Sequence, residues 1–258
     1  MYLDVTDLRD FYVTPLGHIV RRLLHRLRAR WRNVAGETVI GLGFATPYLG
    51  AFHGEALRVG AFMPMQQGAL VWPHDGPRQA VLVEEDQLPL SDSSVDKLVA
   101  IHCLEAAERV QPLLREMWRV LAPQGKLVLI VPSRASVWAR FDTTPFGHGR
   151  PFSRRQLEHL LREAMFTPTD WASALYVPPF ERKLLVKWAI GFERLGASLS
   201  PRLGGVIIVE AQKELLAPIG RSSRIRARIG GLVPVQAGHT QRGSHTPRRA
   251  PLRPTGID

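Results

Sequence analysis

Apolar residues recur along the chain with two different periods. Near the start, Leu16, Ile19, Leu23, Leu27 and Trp31 are spaced three and four apart, which predicts a helix over 7–34. Its other side carries Arg21, Arg22, Arg26, Arg28, Arg30 and Arg32. Such a helix suits docking on a sheet with its arginines in water; lying on a membrane or gripping phosphates is the alternative. From Thr38 the period shortens. Thr38–Leu42, Leu57–Phe62, Gln79–Val83, Lys97–His102 and Lys126–Pro132 read as strands. Ala106–Leu121 returns to helical spacing through Val110, Leu113, Leu114, Met117, Trp118 and Leu121, and Pro123-Gln124-Gly125 turns the chain into the next strand. Ser153 and Gln156 have the spacing of a capping box, opening a helix with inner face Leu157, Leu160, Leu161 and Ala164. A helix over Arg182–Leu195 and a strand over Gly205–Glu210 follow. This alternation predicts an α/β fold with a mostly parallel sheet, helices on both faces, and ligands at the carboxyl ends of the strands. The last strand is expected as an antiparallel edge.

Composition narrows the class. Of 258 residues, 45% are apolar and 22% charged, which excludes a wholly disordered chain. The longest apolar runs, such as Leu127–Val131, fall far short of the ~20 residues that span a bilayer. The first residues lack the layout of a secretory leader, and a cytoplasmic location is expected. Cys103 is the lone cysteine, which excludes an internal disulfide framework and CxxC zinc sites. The nine histidines are scattered, so no metal is expected.

The net charge of +11 is uneven. From Lys213 onward nine basic and two acidic residues place +7 in the last 46 positions, leaving +4 elsewhere. The expected organisation is an N-terminal helical segment (1–35), an α/β domain (36–213) and a disordered basic tail (214–258) too poor in apolar residues to build a core. The tail reads as a solubilising segment, or as an arm for nucleic acid, anionic lipid or an acidic protein face.

The most specific stretch runs from Glu84 to Pro132. It contains Leu88-Pro-Leu-Ser-Asp-Ser-Ser-Val-Asp96, Leu104-Glu105 and Leu114-Arg-Glu-Met-Trp-Arg-Val-Leu-Ala-Pro-Gln-Gly-Lys-Leu127. In order and spacing it resembles the class I S-adenosylmethionine-dependent methyltransferases, in particular the small-molecule group called type 11. Thr144-Pro-Phe-Gly-His-Gly-Arg-Pro-Phe-Ser153 also resembles a bacterial subgroup of these proteins. The resemblance implies a Rossmann-like seven-stranded sheet with S-adenosylmethionine across its carboxyl edge. The donor-binding turn then corresponds to Val39-Ile-Gly-Leu-Gly-Phe-Ala-Thr-Pro-Tyr-Leu49, where Thr46 is expected to cap the following helix and Pro47 to occupy its first position.

This turn departs from the family pattern. Gly43 keeps one glycine, but an acid is replaced by Gly41 and later glycines by Ala45 and Pro47. The acid that usually holds the ribose after the second strand is replaced by Ala61, with Phe62, Met63 and Met65 beside it as apolar walls. Hydrogen bonds to charged groups contribute about 1.5–3 kcal/mol each. Two lost anchors therefore weaken the donor by roughly 100-fold to 10,000-fold. By position Glu84 matches the family residue near the adenine amino group, with Glu85 and Asp86 beside it, and His102 faces the donor.

Methyl transfer depends on positioning, with a base needed only when the acceptor must lose a proton. His102 and His148 are the candidate bases and Arg150 a carboxylate or phosphate clamp; Cys103 has no activating neighbour in sequence. The loop Gly68–Pro77, carrying Trp72, stands where a helix is expected, and the apolar segment Leu184–Phe192 is a substrate lid or core. The readings are methyl transfer to a small molecule, a donor-deficient fold serving as partner of another enzyme, or, more weakly, methylation of RNA. The bacterial subgroup implies a hydroxyacylglutathione hydrolase as that partner; a homo-oligomer is the other assembly considered.

Overall fold

The computed structural model describes residues 3–24, 27–179, 191, 193, 195–196, 198 and 203–215. The predicted tail, apart from its first two residues, most of the helix over 182–195 and the lid segment apart from Gly191 lie outside them.

Seven strands form one sheet: β1 (Thr38–Gly43), β2 (Arg58–Pro64), β3 (Ala80–Val83), β4 (Val95–Ile101), β5 (Leu121–Pro132), β6 (Phe166–Ala174) and β7 (Val206–Lys213). Their order is β3-β2-β1-β4-β5-β7-β6, with the first five parallel and β7 antiparallel to both neighbours. Alternation along the strands divides the core. Val39, Ala61, Val99, Ile101 and Val128 face one layer; Ile40, Leu42, Leu98, Ala100 and Leu129 face the other. The first layer is covered by α1 (Val5–Val13), α2 (Pro15–Leu24) and the short α4 (Thr46–Leu49), together with Trp31. The second is covered by α5 (Val110–Val120) and α6 (Arg154–Glu163).

Several elements differ from expectation. The helix predicted over 7–34 is broken into α1, α2 and α3 (Leu27–Arg30). Proline lacks the N–H that would continue the ladder, so Pro15 opens a new helix after Thr14. The Thr14 hydroxyl joins the two segments, donating to the Phe11 carbonyl at 2.8 Å and accepting from Gly17 N–H at 3.0 Å. The last strand is not an edge: β7 lies between β5 and β6, which explains its unbroken buried run Val206–Ala211. The edge is β6, absent from the predicted strands because Thr167-Pro-Thr-Asp170 interrupts its apolar pattern. Pro168 is tolerated there because an edge strand has a free side and the register shifts at that point.

Ser153 caps α6, its hydroxyl accepting from Gln156 N–H at 3.2 Å. The reciprocal half of the predicted box is missing, since the Gln156 amide oxygen accepts from Arg134 at 3.1 Å. The segment between β2 and β3 contains no helix, in line with the loop read from Gly68–Pro77.

Candidate functional site at the carboxyl edge

The parallel strands end together, and the turn after β1 lies at the centre of that edge. Gly43 has φ +78°, and Phe44 N–H donates to the Ile101 carbonyl at the end of β4 at 3.0 Å. Thr46 does not cap the following helix as expected. Ala45 is the cap residue, no side chain serves as cap, and α4 is only four residues long.

The two positions that lack the family acids are neighbours. Gly41 pairs with Ala61 in the β1–β2 register. A Cβ on Gly41 would stand 2.6 Å from Ala45 Cβ and 2.7 Å from a Leu49 methyl, and Ala61 is fully buried. An acidic side chain at 41 has no space, because the curtailed α4 sets Ala45 and Leu49 down on the sheet. The two substitutions are thus parts of one packing arrangement. Phe62 faces the opposite layer.

The end of β4 carries a buried polar chain that the sequence pattern did not reveal. Tyr48 Oη donates to Tyr12 Oη at 3.1 Å, and Tyr12 Oη lies 3.0 Å from His102 Nε2. His102 Nδ1 is 3.5 Å from the Glu105 carboxylate. His102 has φ +52°, a conformation costly for a residue with a Cβ. Its carbonyl accepts from the Gln67 amide at 2.9 Å. The missed residues are Tyr12, Tyr48, Gln67 and Glu105. The i, i+3 spacing of His102 and Glu105 was the available signal; Tyr12 lies ninety positions away and left none.

Burial is the first cause holding the Tyr12 phenol well above its ordinary range, followed by the nearby Tyr48 and Glu105. Burial likewise raises Tyr48. A raised phenol stays protonated in the fold when the unfolded chain ionises. Stability from these groups is therefore complete below about pH 10 and declines as pH rises above it. Urea melts between pH 9 and about pH 11 are expected to show this alkaline loss, with Tyr12→Phe or Tyr48→Phe giving a shallower slope. Equal slopes in all three proteins would remove the two tyrosines as its source.

His148 lines one small cavity together with His102 and Glu105, while the other candidates are dispersed. His148 bonds through Nε2 to the Asp142 carbonyl at 2.7 Å, and Arg150 donates to the Ala107 carbonyl. Both tie the 142–150 loop to backbone. Glu84 is exposed in a tight turn with Gln87, Glu85 is buried, and Asp86 pairs with Arg109. Cys103 is buried. Among the described residues no group of three or more His, Cys, Asp or Glu side chains could hold a metal, and no helix is long and apolar enough to cross a membrane.

A groove of about 500 Å³ lies over the turn. Phe44, Thr46 and Pro47 form its floor, and Tyr12 lines the side shared with the buried polar chain. Arg9 and Arg21 bring positive charge from α1 and α2, His18 lies beside them, and Trp72 and His74 come from the loop between β2 and β3. Its size and its mix of aromatic faces and cations fit a nucleoside carrying an amino-acid carboxylate, although the acids at 41 and 61 are missing.

The strand order, with its antiparallel β7 inserted beside β5, is that of the class I methyltransferase fold. Residues 40–129 match the family described as "Methyltransferase domain". The chain has the class I S-adenosylmethionine-dependent methyltransferase fold, and over residues 40–129 it is similar to that family. Among solved structures, a SAM-dependent methyltransferase from Thermotoga maritima is similar with TM-score 0.54 and 16% identity, over 81% of this chain and 96% of that one. A Haloferax volcanii methyltransferase, solved in complex with the Trm112 methyltransferase activator, gives TM-score 0.56 and 17% identity, over 82% and 99%. A SAM-dependent methyltransferase from Archaeoglobus fulgidus gives 0.53 and 15%, over 75% and 94%. No curated protein matches the sequence.

Proposed function

We propose that the protein transfers a methyl group from S-adenosylmethionine to a small-molecule acceptor, with the donor in the groove over residues 44–47. The groove itself carries this reading: it lies at the carboxyl edge of β1 and has the volume and lining for such a ligand. The guanidinium of Arg21 answers the donor's carboxylate, and Trp72 offers a face to its adenine. When bound, the donor supplies an electrophilic methyl on a sulfonium. Tyr12, a protonated phenol hydrogen bonded to His102, lines the groove and helps to position the acceptor. Residues 1–35 act as a cover on the edge, and 36–213 form the domain proper.

Calorimetric titration with S-adenosylhomocysteine tests the reading. Micromolar binding is expected, weakened about tenfold in Trp72→Ala and in Arg21→Ala, the scale of one desolvated cation–aromatic or charge contact. Absence of heat at millimolar ligand with folded protein would overturn it.

The packing of Gly41 and Ala61 favours a second reading, in which the domain binds the donor poorly alone and works with a protein partner. The Haloferax volcanii neighbour was solved with an activator, and the resemblance to a bacterial subgroup suggests a hydroxyacylglutathione hydrolase for this chain. Co-elution of the two purified proteins in size-exclusion chromatography is the outcome expected of this second reading; separate elution would remove that partner.

A further inference from the structure

The sheet ends at β3 in an open edge whose pattern is complementary to itself. Among the described residues β3 pairs with β2 alone. The Gln79 and Val83 carbonyls accept from Ala61 and Met65 N–H, so the odd positions direct their backbone groups to β2. Parallel pairing then turns the N–H and C=O of Ala80 and Leu82 outward, where such groups are a template for a further strand. Val81 and Leu82, in the middle of this edge, are 39% and 49% exposed. The sheet face beside it is bare as well: residues 84–94 form no helix, and Ile40, Gly60, Phe62 and Val81 line a groove of about 500 Å³.

The charges at the two ends of the strand decide what fits. Arg78 precedes the apolar run and Glu84 follows it, three positions on either side of Val81. Both are exposed. The Arg78 guanidinium donates to the Pro73 and His74 carbonyls at 2.8 and 3.0 Å, and among the described residues neither side chain has an ion-pair partner. A second copy running antiparallel about a two-fold axis through Val81 sets Arg78 directly opposite the other copy's Glu84, and does so twice. The same register sets Ala80 opposite Leu82, so the outward N–H and C=O groups of both find partners and a small side chain faces a large one. Axes through Ala80 or Leu82 would put Glu84 opposite Gly76 or Ala80, and a parallel copy would put like charges together.

We infer that the chain forms a two-fold dimer by antiparallel pairing of β3 with β3 of a second copy, Arg78 and Glu84 fixing the register. The dimer does not depend on donor binding.

Sedimentation equilibrium of the full chain from about 1 to 200 µM tests it. The wild type is expected to pass from the mass of one chain to that of two. Arg78→Glu and Glu84→Arg each replace two opposite-charge contacts by two like-charge ones, and each is expected to weaken self-association at least about tenfold. Glu84→Arg breaks no ion pair within the chain, so its result stands whatever Arg78→Glu does to the loop at Pro73 and His74. An equimolar mixture of the two variants brings opposite charges together at both ends and is expected to dimerise, as is the chain carrying both substitutions. One-chain mass of the wild type throughout the range would overturn the inference and leave the edge to a strand of another protein. Undiminished association of either single variant, or no association in the mixture of folded variants, would overturn it too. Titration of the same preparation with S-adenosylhomocysteine reads the donor proposal separately, so either can fail while the other stands.

Discussion

Gly43→Ala is expected to cost about 4 kcal/mol of folding stability, enough to unfold a marginal domain on modest heating. Two effects add. At φ +78° an L side chain meets its own backbone, which costs about 1–2 kcal/mol. The new Cβ would also stand 2.3 Å from the Ile101 carbonyl oxygen and 2.8 Å from Cys103 Cβ. Neither neighbour is the free end of a flexible side chain. That carbonyl accepts the Phe44 N–H, so relief of the clash separates the ends of β1 and β4 and loosens the groove floor. Gly76 supplies the control: its φ is +87°, but a Cβ there meets nothing within 4 Å. Gly76→Ala should lose only the conformational part, about 1 kcal/mol. Urea denaturation of the three proteins measures the difference; equal losses at both sites would show that the close approach to Ile101 contributes nothing.

Arg119→Ala is expected to cost about 3 kcal/mol. The guanidinium joins α5 to the whole loop before β4, donating to the carbonyls of Leu88 at 3.0 Å and Leu90 at 2.8 Å and to the carboxylates of Asp92 and Glu116, each at 2.6 Å. Glu116 in turn accepts from Leu88 N–H at 2.7 Å. The side chain is 32% exposed, so water replaces part of what is lost and the contacts do not sum at full value. Arg119→Lys should recover less than half, because one ammonium cannot span four acceptors that a planar fork reaches. A loss below about 0.5 kcal/mol in the alanine variant, the level of an ordinary surface change, would mean that backbone pairing alone holds the loop.

The same arginine explains why the block from Leu88 to Leu127 was recognisable. Its spacing records a clamp between a loop and a helix, which is a property of the fold and carries no information about the donor. The site was less legible. Gly41 and Gly43 lie in β1 and Ala61 in β2, two strands whose apolar runs are unambiguous. That Gly41 and Ala61 lie side by side under Ala45 and Leu49 required the register. Thr46 has the residue type of a cap, but the chain takes up helix one position earlier and leaves its hydroxyl out of that role. The break at Pro15 was available from proline's missing N–H; a strong apolar stripe running across it masked the signal.

By itself, the sequence determined the α/β class, the five parallel strands, the amphipathic faces of α5 and α6, and the cap at Ser153. These depend on local periodicity and on hydrogen bonds between residues close in the chain. Tertiary structure alone decided that β7 enters the sheet beside β5 and that α4 closes over Gly41. It also decided that α1 brings Tyr12 to His102 while Gln67 and Glu105 are buried around one cavity. Those outcomes join residues tens of positions apart. Nothing in the local pattern of either partner encodes the distance between them, and only the packing of two layers on one sheet does.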